Sequence, residues 1–396
     1  MSNHESKDFQ SYFQKFPNST AINYANLTDK KSLIQTLSNN KLAFPVFGLL
    51  FQAIDYLKNS GLSYEAEKTQ KLLSESCGNL IQKVLENDIS LNKQWFTRIG
   101  HMNVLPYFVY ANNLQGKKIF VESNEIVEIS NKFFLKVIKD QMKISLERKN
   151  KSNGFVFYNQ SNVLYPTHRG IFAGFSLEKE ISCGGFKLEK PDGYLDFKKA
   201  FLQKIGKDDG SLIVTINTRS RNLSSGSTNE LRSVDPSTYI KGIQYLTSKG
   251  YIVIRLGDNS QEELPPIDGF FDYSSSDLKS EIYDILLICS AEFHIGSSSG
   301  ISLVPLTFGV PTLMLNWFPR RDVPWGRKTH TIYKKIFDHQ NHVEVKDDKN
   351  LYEIGNITSK KILRSLGLMV HSLSEEEILF QIKKFESSVM SFDGMM

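Results

Sequence analysis

Cysteine is scarce in this chain, and no long apolar run interrupts the sequence. The three cysteines, Cys77, Cys183 and Cys289, are odd in number and scattered, which predicts neither a disulfide framework nor a zinc motif. The opening residues, MSNHESKDFQ, lack the apolar core of a signal peptide. The most apolar stretch, residues 42–51, contains a proline and a glycine, so no membrane-spanning helix is expected. Together these absences predict a reducing, cytoplasmic location.

Charge of one sign is not in large excess either. The 396 residues carry 48 Lys and Arg against 43 Asp and Glu, a formal net charge of +5. This excess is too small to indicate nucleic-acid binding, and it is compatible with an anionic ligand or a lipid headgroup surface. Hydrophobic residues make up 40% of the chain and aromatic residues 12%, which is enough for a packed core and for more than one domain.

Apolar spacing divides the chain into a helical beginning and two α/β regions. Helical spacing covers about residues 30–92, and from Trp95 short strands such as KKIFV and GFVFY alternate with helices, one of them over about 125–148. Further on, SLIVTI, YIVIRL, AEFHI and PTLML alternate with helical stretches, which predicts a doubly wound parallel sheet. The predicted parts are a helical N-terminal extension (1–93), a first α/β domain (94–205), a second (206–373) and a C-terminal helix (374–396).

Small residues stand at a predicted turn from strand to helix, in FHIGSSSGISLVPLTFGVPTLMLNWFP (residues 293–319). In an open parallel sheet such turns lie at the carboxyl edge, where ligands bind, and a helix N-terminus offers N–H groups to an anion. A phosphate is the predicted ligand. The alternative is that Ser298 or Ser299 caps the helix while Gly296 and Gly300 ease a tight turn. The turn by itself leaves both interpretations open.

Three arginines follow or end predicted strands of the second region. Arg219 comes after IVTINT, Arg232 lies in ELRSVDP, and Arg255 lies in VIRLGD. Gathered at one sheet edge, they could hold a diphosphate through forked hydrogen bonds. The alternative is that Arg219 and Arg232 are solvated loop charges and that Arg255 pairs with Asp272.

Four further residues follow strands at the same predicted edge. Gly257 and Asp258 occupy a position where an acid often meets a ribose hydroxyl, although an ordinary turn aspartate is the alternative. Asn316 and Trp317 lead into FPRRDVPWG, whose aromatic and basic side chains could stack a base or reach an acceptor. A structural loop anchored by tryptophans is the alternative interpretation of that stretch.

Gly296, Ser298 and Gly300 also fit the Gly-x-Ser-x-Gly spacing of a nucleophile elbow. A serine hydrolase needs a later acid and a later histidine, and the chain order supplies them: Asp322, with His330, His339, His342 or His371. The flanking Ser297 and Ser299, with the upstream arginines, favour anion binding over this alternative. The histidines are dispersed and the acids form no ligand pattern, so no metal site is predicted.

Taken as an ordered set, Arg219, Arg232, YIVIRLGD, FDYSS, FHIGSSSG and FGVPTLMLN resemble a bacterial family of predicted glycosyltransferases of surface polysaccharide synthesis. RIGHMN, residues 98–103, resembles the same family, and the similarity covers roughly residues 95–325. The resemblance implies the B-type glycosyltransferase fold: two Rossmann-like domains facing a cleft, with the acceptor at 94–205 and the donor at 206–373. It also implies a reaction without a metal ion. Related fucosyltransferase-like enzymes often carry a histidine where this chain has Asn217, which leaves Arg219 as the matched residue.

On this interpretation the chain moves a sugar from a nucleotide-sugar co-substrate to a glycan or lipid-linked acceptor, with no resident cofactor and no nucleic-acid partner. His101 would be the catalytic base, although a histidine bonded to backbone is the alternative. A nucleotide-sugar epimerase, a serine hydrolase and a non-catalytic nucleotide-sugar or glycan-binding protein remain alternatives. The expected donor-binding residues are Arg219, Arg232, Arg255, Gly257, Asp258, Gly296, Ser297, Ser298, Ser299, Gly300 and Asn316.

A basic amphipathic segment, residues 132–151, predicts weak, charge-driven association with the anionic inner face of a membrane. Its cations are Lys132, Lys136, Lys139, Lys143, Arg148, Lys149 and Lys151. The alternative is a helix that packs its apolar side on a sheet and leaves its lysines in solvent.

Overall fold

The structure is a computed structural model. It describes residues 89–123, 126–149, 156–159, 165–166, 170–173, 185–220, 227–258, 262–320, 324, 326, 328–346, 354–355, 357 and 359–393. Nearly all of the predicted helical N-terminal extension therefore lies outside the described residues, as do Cys77, Cys183, Lys151, Asp322 and Trp325. Within the part that is described, the helical assignment of Ile89–Asn92 is wrong, because these residues form a strand that pairs with two neighbours.

The first half of the described chain is built on a six-stranded sheet in the order β3-β2-β1-β4-β6-β5, parallel except for β5. Its strands are β1 (Ile89–Asn92), β2 (Lys118–Glu122), β3 (Ser145–Lys149), β4 (Val156–Asn159), β5 (Tyr165–Pro166) and β6 (Gly170–Ala173). Helices α1 (Ile99–Met102) and α2 (Leu105–Ala111) follow β1, and α3 (Lys132–Met142) joins β2 to β3.

The helix predicted over about 125–148 is much shorter than expected. The α3 helix begins at an Asn131 cap, whose side chain accepts from Phe134 N at 2.7 Å, and it ends at Lys143, which adopts the left-handed conformation. The following residues form the strand β3, which pairs with β2. The apolar side of α3 is buried, and Phe134 contacts the ring of Phe308 from the second half. Over residues 132–142 the alternative interpretation, a scaffold helix with its apolar side packed inside the protein, is the one observed, and association with a membrane stays a prediction.

The second half is built on a six-stranded sheet in the order β12-β11-β10-β7-β8-β9, in which every neighbouring pair is parallel. The strands are β7 (Ile213–Asn217), β8 (Ile252–Arg255), β9 (Phe270–Asp272), β10 (Phe293–Gly296), β11 (Thr312–Trp317) and β12 (Thr329–Tyr333). Four of them are wholly buried, as apolar runs covered on both faces should be. The predicted doubly wound parallel sheet is confirmed.

Helices cover both faces of this second sheet. They are α4 (Tyr194–Lys204), α5 (Ser227–Arg232), α6 (Ile240–Ser248), α7 (Glu281–Ser290) and α8 (Val304–Thr307). The predicted first domain includes α4, yet Phe197 of this helix meets the ring of Tyr283 on α7 at 4.8 Å. This contact attaches α4 to the second half.

A small antiparallel sheet and a long helix complete the described chain. The sheet has the order β14-β13-β15, formed by β13 (Lys335–Asp338), β14 (Val343–Glu344) and β15 (Leu368–His371), with α9 (Lys360–Ser365) beside it. The predicted C-terminal helix is α10 (Glu375–Asp393), which packs on α6. It begins with a capping box, because Ser374 Oγ accepts from Glu377 N at 3.2 Å and Ser374 N donates to the Glu377 carboxylate at 2.9 Å.

The two halves share one hydrophobic core and are joined by buried hydrogen bonds. Asn103 donates to the carbonyl of Leu303 at 2.8 Å and accepts from the Thr307 hydroxyl, while Tyr107 OH donates to the carbonyl of Leu306 at 3.1 Å. Through these bonds the helices after β1 lie directly on the turn after β10. No helix among the described residues is long and apolar enough to cross a bilayer.

Candidate functional site

The strand order of the second sheet creates a crevice between β7 and β10. From β7 the chain moves outward to β8 and β9, and it then returns to place β10 on the other side of β7. Ligands of open α/β sheets bind at such a switch point, beyond the carboxyl ends of the strands. Arg219 follows β7, and the turn from Ser297 to Gly300 follows β10, so the structure brings the predicted arginine and the predicted serine turn together.

The hydroxyls of Ser297 and Ser298 tie strand ends together. Ser297 Oγ accepts from Arg219 N at 2.9 Å, and Ser298 Oγ accepts from Phe318 N at 2.7 Å. Both serines are fully buried. Their side chains thus fix the turn between β7, β10 and β11, whereas Ser299 and Gly300 are the partly exposed members of the turn.

This geometry removes the nucleophile required by the serine hydrolase alternative. The hydroxyl of Ser298 is buried, and its second hydrogen bond goes to the carbonyl of Asn316 at 3.4 Å rather than to a histidine. A nucleophilic serine needs a base within hydrogen-bond reach and an open path to the substrate. Ser298 therefore serves the fold.

Gly300 in the serine turn and Gly296 at the end of β10 are both required by packing. A Cβ on Gly300 would lie 2.8 Å from the nitrogen of Gly100, and a Cβ on Gly100 would lie 2.9 Å from the Cα of Gly300. The backbones of α1 and the serine turn are therefore in direct contact. A Cβ on Gly296 would lie 2.6 Å from the Cβ of Ser302, so this glycine lets the following turn pack on the end of β10.

His101 lies on α1, next to Gly100 at the junction between the halves. Its Nδ1 is 3.0 Å from the carbonyl oxygen of Gln94, which can only accept a hydrogen bond, so this contact assigns the proton to Nδ1 and the basic lone pair to Nε2. Burial lowers the pKa of His101, and the charges of Arg98 and Arg232 lower it further, while the Gln94 carbonyl opposes them. The imidazole is consequently neutral at physiological pH.

Three arginines from both halves concentrate positive charge at this junction. Burial lowers the pKa of Arg219 to about 10, and the neighbouring charges of Arg232 and Arg98 act in the same direction. Arg98 precedes α1 as its N-cap residue, so it comes from the first half, whereas Arg219 and Arg232 belong to the second. Arginine charges that repel one another are the electrostatic environment that attracts a phosphate.

Arg98 belongs to this candidate site but was not predicted from the sequence. RIGHMN carries the signal, because Arg98 is its first residue, but the predicted site includes only its histidine.

Arg255 is placed among structural residues and is withdrawn from the candidate donor site. It is fully buried, and its Nη1 donates to the carboxylate of Asp272 at 3.0 Å and to the carbonyl of Glu262 at 2.7 Å. Burial lowers the pKa of Arg255, and the Asp272 carboxylate opposes that effect. The alternative pairing with Asp272 is therefore the one observed.

Asn316 likewise supports the fold rather than the candidate site. It is buried in the left-handed conformation at a φ of 55°, its Oδ1 accepts from Leu373 N at 2.6 Å, and its Nδ2 lies 3.2 Å from the Tyr239 hydroxyl. Asn217, the last residue of β7, donates to the carbonyl of Leu256 at 3.0 Å and accepts from Ser302. Both amides join neighbouring strand ends.

Gly257 and Asp258 stand just beyond β8, one strand away from Arg219. The carbonyl of Gly257 accepts a hydrogen bond from the ammonium group of Lys279, and Asp258 is half-buried. Their position at the carboxyl edge is the predicted one, and the ribose contact of Asp258 stays a prediction. Among the residues described by the structure, no three His, Cys, Asp or Glu side chains come together as a metal site.

Neither a protein-family model nor a curated protein sequence matches this chain. Solved structures with a related arrangement include the glycosyl transferase family 9 protein from Veillonella parvula, 11% identical, covering 74% of this chain and 97% of its own, with a TM-score of 0.40. The E. coli ADP-heptose lps heptosyltransferase II is 10% identical over 69% of this chain and 98% of its own, also with a TM-score of 0.40.

The heptosyltransferase TibC, described as dodecameric and iron-containing and in complex with ADP-D-beta-D-heptose, is 15% identical and covers 76% of each chain, with a TM-score of 0.36. TM-scores this low assign no function to the present chain.

Proposed function

We propose that this chain is a glycosyltransferase of the two-domain B type, which moves a sugar from a nucleotide-sugar donor to a glycan or lipid-linked acceptor. One observation carries the proposal. At the switch point of a doubly wound sheet, the backbones of Gly100 and Gly300 bring the two halves into contact, and the charges of Arg98 and Arg232 act there on both Arg219 and His101. The first half reaches this point through the turn that follows β1.

The donor diphosphate is the ligand that this arrangement suits best. Its negative charge would lie between Arg219, Arg232 and the backbone of the turn that ends at Gly300. Breaking the glycosidic bond leaves a nucleoside diphosphate with one more negative charge, so cations at this position stabilise the transition state more than the ground state. Arg219 and Arg232 are half-buried, and this position strengthens the effect because solvent screens their charges incompletely.

His101 is suited to remove the proton of the acceptor hydroxyl. Its lowered pKa keeps Nε2 unprotonated at neutral pH, and α1, which carries it, belongs to the half proposed to hold the acceptor. The proton passes from the acceptor oxygen to Nε2 as that oxygen bonds the sugar, and the electron pair of the broken bond leaves with the diphosphate. Reaction without a metal ion, a cytoplasmic location and a role in bacterial surface polysaccharide synthesis are further parts of this proposal.

Calorimetric titration with UDP-, GDP-, ADP-, CMP- and dTDP-sugars tests the donor site. Arg219→Ala and Arg232→Ala should each weaken the binding of the preferred donor by about 10- to 150-fold, equivalent to 1.5–3 kcal/mol for a hydrogen bond to a charged group. Arg364→Ala, at an exposed position on α9, is the matched control and should leave affinity unchanged. If no nucleotide sugar binds, or if both variants bind as tightly as the unchanged chain, the proposed function is wrong.

Turnover separates an enzyme from a binding protein. The preferred donor should lose its sugar to an acceptor or, more slowly, to water, and this turnover should persist after a chelator removes metal ions. A donor that binds tightly and stays intact with every acceptor offered would identify a non-catalytic binding protein. Activity that disappears with the chelator and returns with iron would refute the metal-free reaction.

A further inference from the structure

A groove of about 240 Å³ opens on the first half, and Phe96, in the turn between β1 and α1, is one of its lining residues. Apolar side chains form most of its lining, and two cations and one carboxylate stand at its rim. The lining residues are Phe96, Val121, Ile126, Val127, Ile129, Leu135, Leu146, Lys139, Glu147 and Arg148.

One lining residue of the groove belongs to the turn that leads to the candidate site. Phe96 belongs to the turn between β1 and α1, the same turn that leads to His101. The carbonyl of Phe96 accepts from Ser130 N at 2.9 Å, which holds the segment 126–130 against this turn as one wall. The groove therefore adjoins the segment of the first half that leads to His101.

The charges at the rim suit an anionic group. Lys139 and Arg148 line the groove, and Lys136 and Lys143 project into solvent from the same helix. The opposing carboxylate of Glu147 is already paired with the ammonium group of Lys118 at 2.8 Å. The rim thus presents net positive charge around an apolar floor.

The apolar lining is incompletely covered by the described part of the chain. Ile126 is 89% exposed, the largest exposure of any large apolar side chain among the described residues. When a hydrocarbon displaces the water from apolar side chains at a concave surface, the free energy of the system falls.

We propose that this groove binds the hydrocarbon chain of an anionic lipid acceptor, with the lipid's phosphate between Lys139 and Arg148. The assignment of the lipid as acceptor depends on the proposed function, whereas the binding of an alkyl phosphate does not. It differs from adsorption on a membrane surface, because a single dispersed molecule occupies the groove.

A series of octyl, decyl and dodecyl phosphates, each kept below its micelle concentration, tests the groove by calorimetry. Each methylene that enters should raise affinity about fourfold, equivalent to ~0.8 kcal/mol, until the groove is full. Ile126→Glu should abolish the dependence on chain length, and its exposed position spares the fold. Ile282→Glu, which alters an exposed isoleucine on α7 of the second half, is the matched control and should bind like the unchanged chain.

Head-group selectivity tests the rim. Arg148→Gln should weaken binding of dodecyl phosphate about threefold at low salt and leave an uncharged dodecyl glycoside unaffected. Affinity that does not depend on chain length, equal binding by Ile126→Glu, or binding to anionic vesicles but not to dispersed alkyl phosphate would each overturn the proposal. Nucleotide-sugar titration of the same Ile126→Glu sample separates the two proposals, because donor affinity should be unchanged whatever the alkyl phosphate does.

Discussion

Acid should destabilise this protein through one buried histidine beneath the candidate site. His294 lies on β10 and is fully buried, with Nδ1 3.0 Å from the Thr215 hydroxyl on β7 and with Nε2 making no hydrogen bond. Burial lowers the pKa of His294 from its ordinary 6.5 to about 3. The folded protein therefore keeps this imidazole neutral across most of the acidic range, whereas the unfolded chain takes up a proton near pH 6.5.

The direction and size of the effect follow from proton linkage. Stability from the neutral imidazole is fully present above pH 6.5 and is lost as pH falls, because the unfolded state binds the proton first. The loss approaches about 1.4 kcal/mol per pH unit below 6.5 and totals about 2.5 kcal/mol between pH 7 and pH 4.5. This is a large share of the 5–15 kcal/mol of a typical domain.

Urea denaturation at pH 7, 6, 5 and 4.5 measures this loss as a change in the free energy of unfolding. His294→Gln keeps a hydrogen-bonding amide near Thr215 but cannot titrate. Between pH 7 and pH 4.5 its free energy of unfolding should therefore fall by about 2.5 kcal/mol less than that of the unchanged chain. His330→Gln, at an exposed position on β12, the edge strand of the same sheet, is the control and should keep the steep dependence. Equal slopes for the unchanged chain and His294→Gln would refute the reasoning.

Three further substitutions test the junction, the base and the buried arginine. Gly300→Ala should cost about 1–3 kcal/mol of stability by overpacking against the backbone of Gly100, and it should also weaken donor binding. An unchanged free energy of unfolding and an unchanged donor Kd would show that the two turns separate freely. His101→Asn should lower the transfer rate about 100- to 10,000-fold with donor affinity retained, and a rate within threefold of the original would remove it as the base. Arg255→Met should lower the free energy of unfolding by about 3 kcal/mol, because the Asp272 carboxylate loses its buried partner. The donor Kd of the folded variant should stay unchanged, and a selective loss of donor affinity would return Arg255 to the candidate site.

Strand positions could be predicted because burial on both faces demands continuous apolar runs. SLIVTI, YIVIRL, AEFHI and PTLML each correspond to a strand of the second sheet, and the serine turn lies at the end of β10 as expected. The alternation of strands and helices also fixed the parallel direction of neighbours, since crossover helices return the chain to the same edge.

Helix length and side-chain partners could not be predicted in the same way. Apolar spacing continues from α3 into β3 without interruption, so only the left-handed Lys143 separates them, and lysine gives no turn signal. Arg255 and Asn316 were expected to face a ligand because both end a strand. The end of a strand predicts where a side chain lies but not which group it bonds. Here Arg255 bonds the Asp272 carboxylate, and Asn316 bonds the backbone of Leu373.

The hydrogen bonds that join the two halves also determine when, during synthesis, the first half can complete its packing. Asn103 and its partner Leu303 are 200 residues apart in the sequence, and Tyr107 and its partner Leu306 are separated by a similar number of residues. A ribosome adds about 5–20 residues per second, so the first half waits on the order of 10–40 s for the turn that covers α1 and α2. During that time Met102, Leu105 and their neighbours lack part of their final cover. The nascent chain is thus most vulnerable to aggregation before residue 303 emerges, and factors that shield its first half at that stage should raise the yield of folded protein.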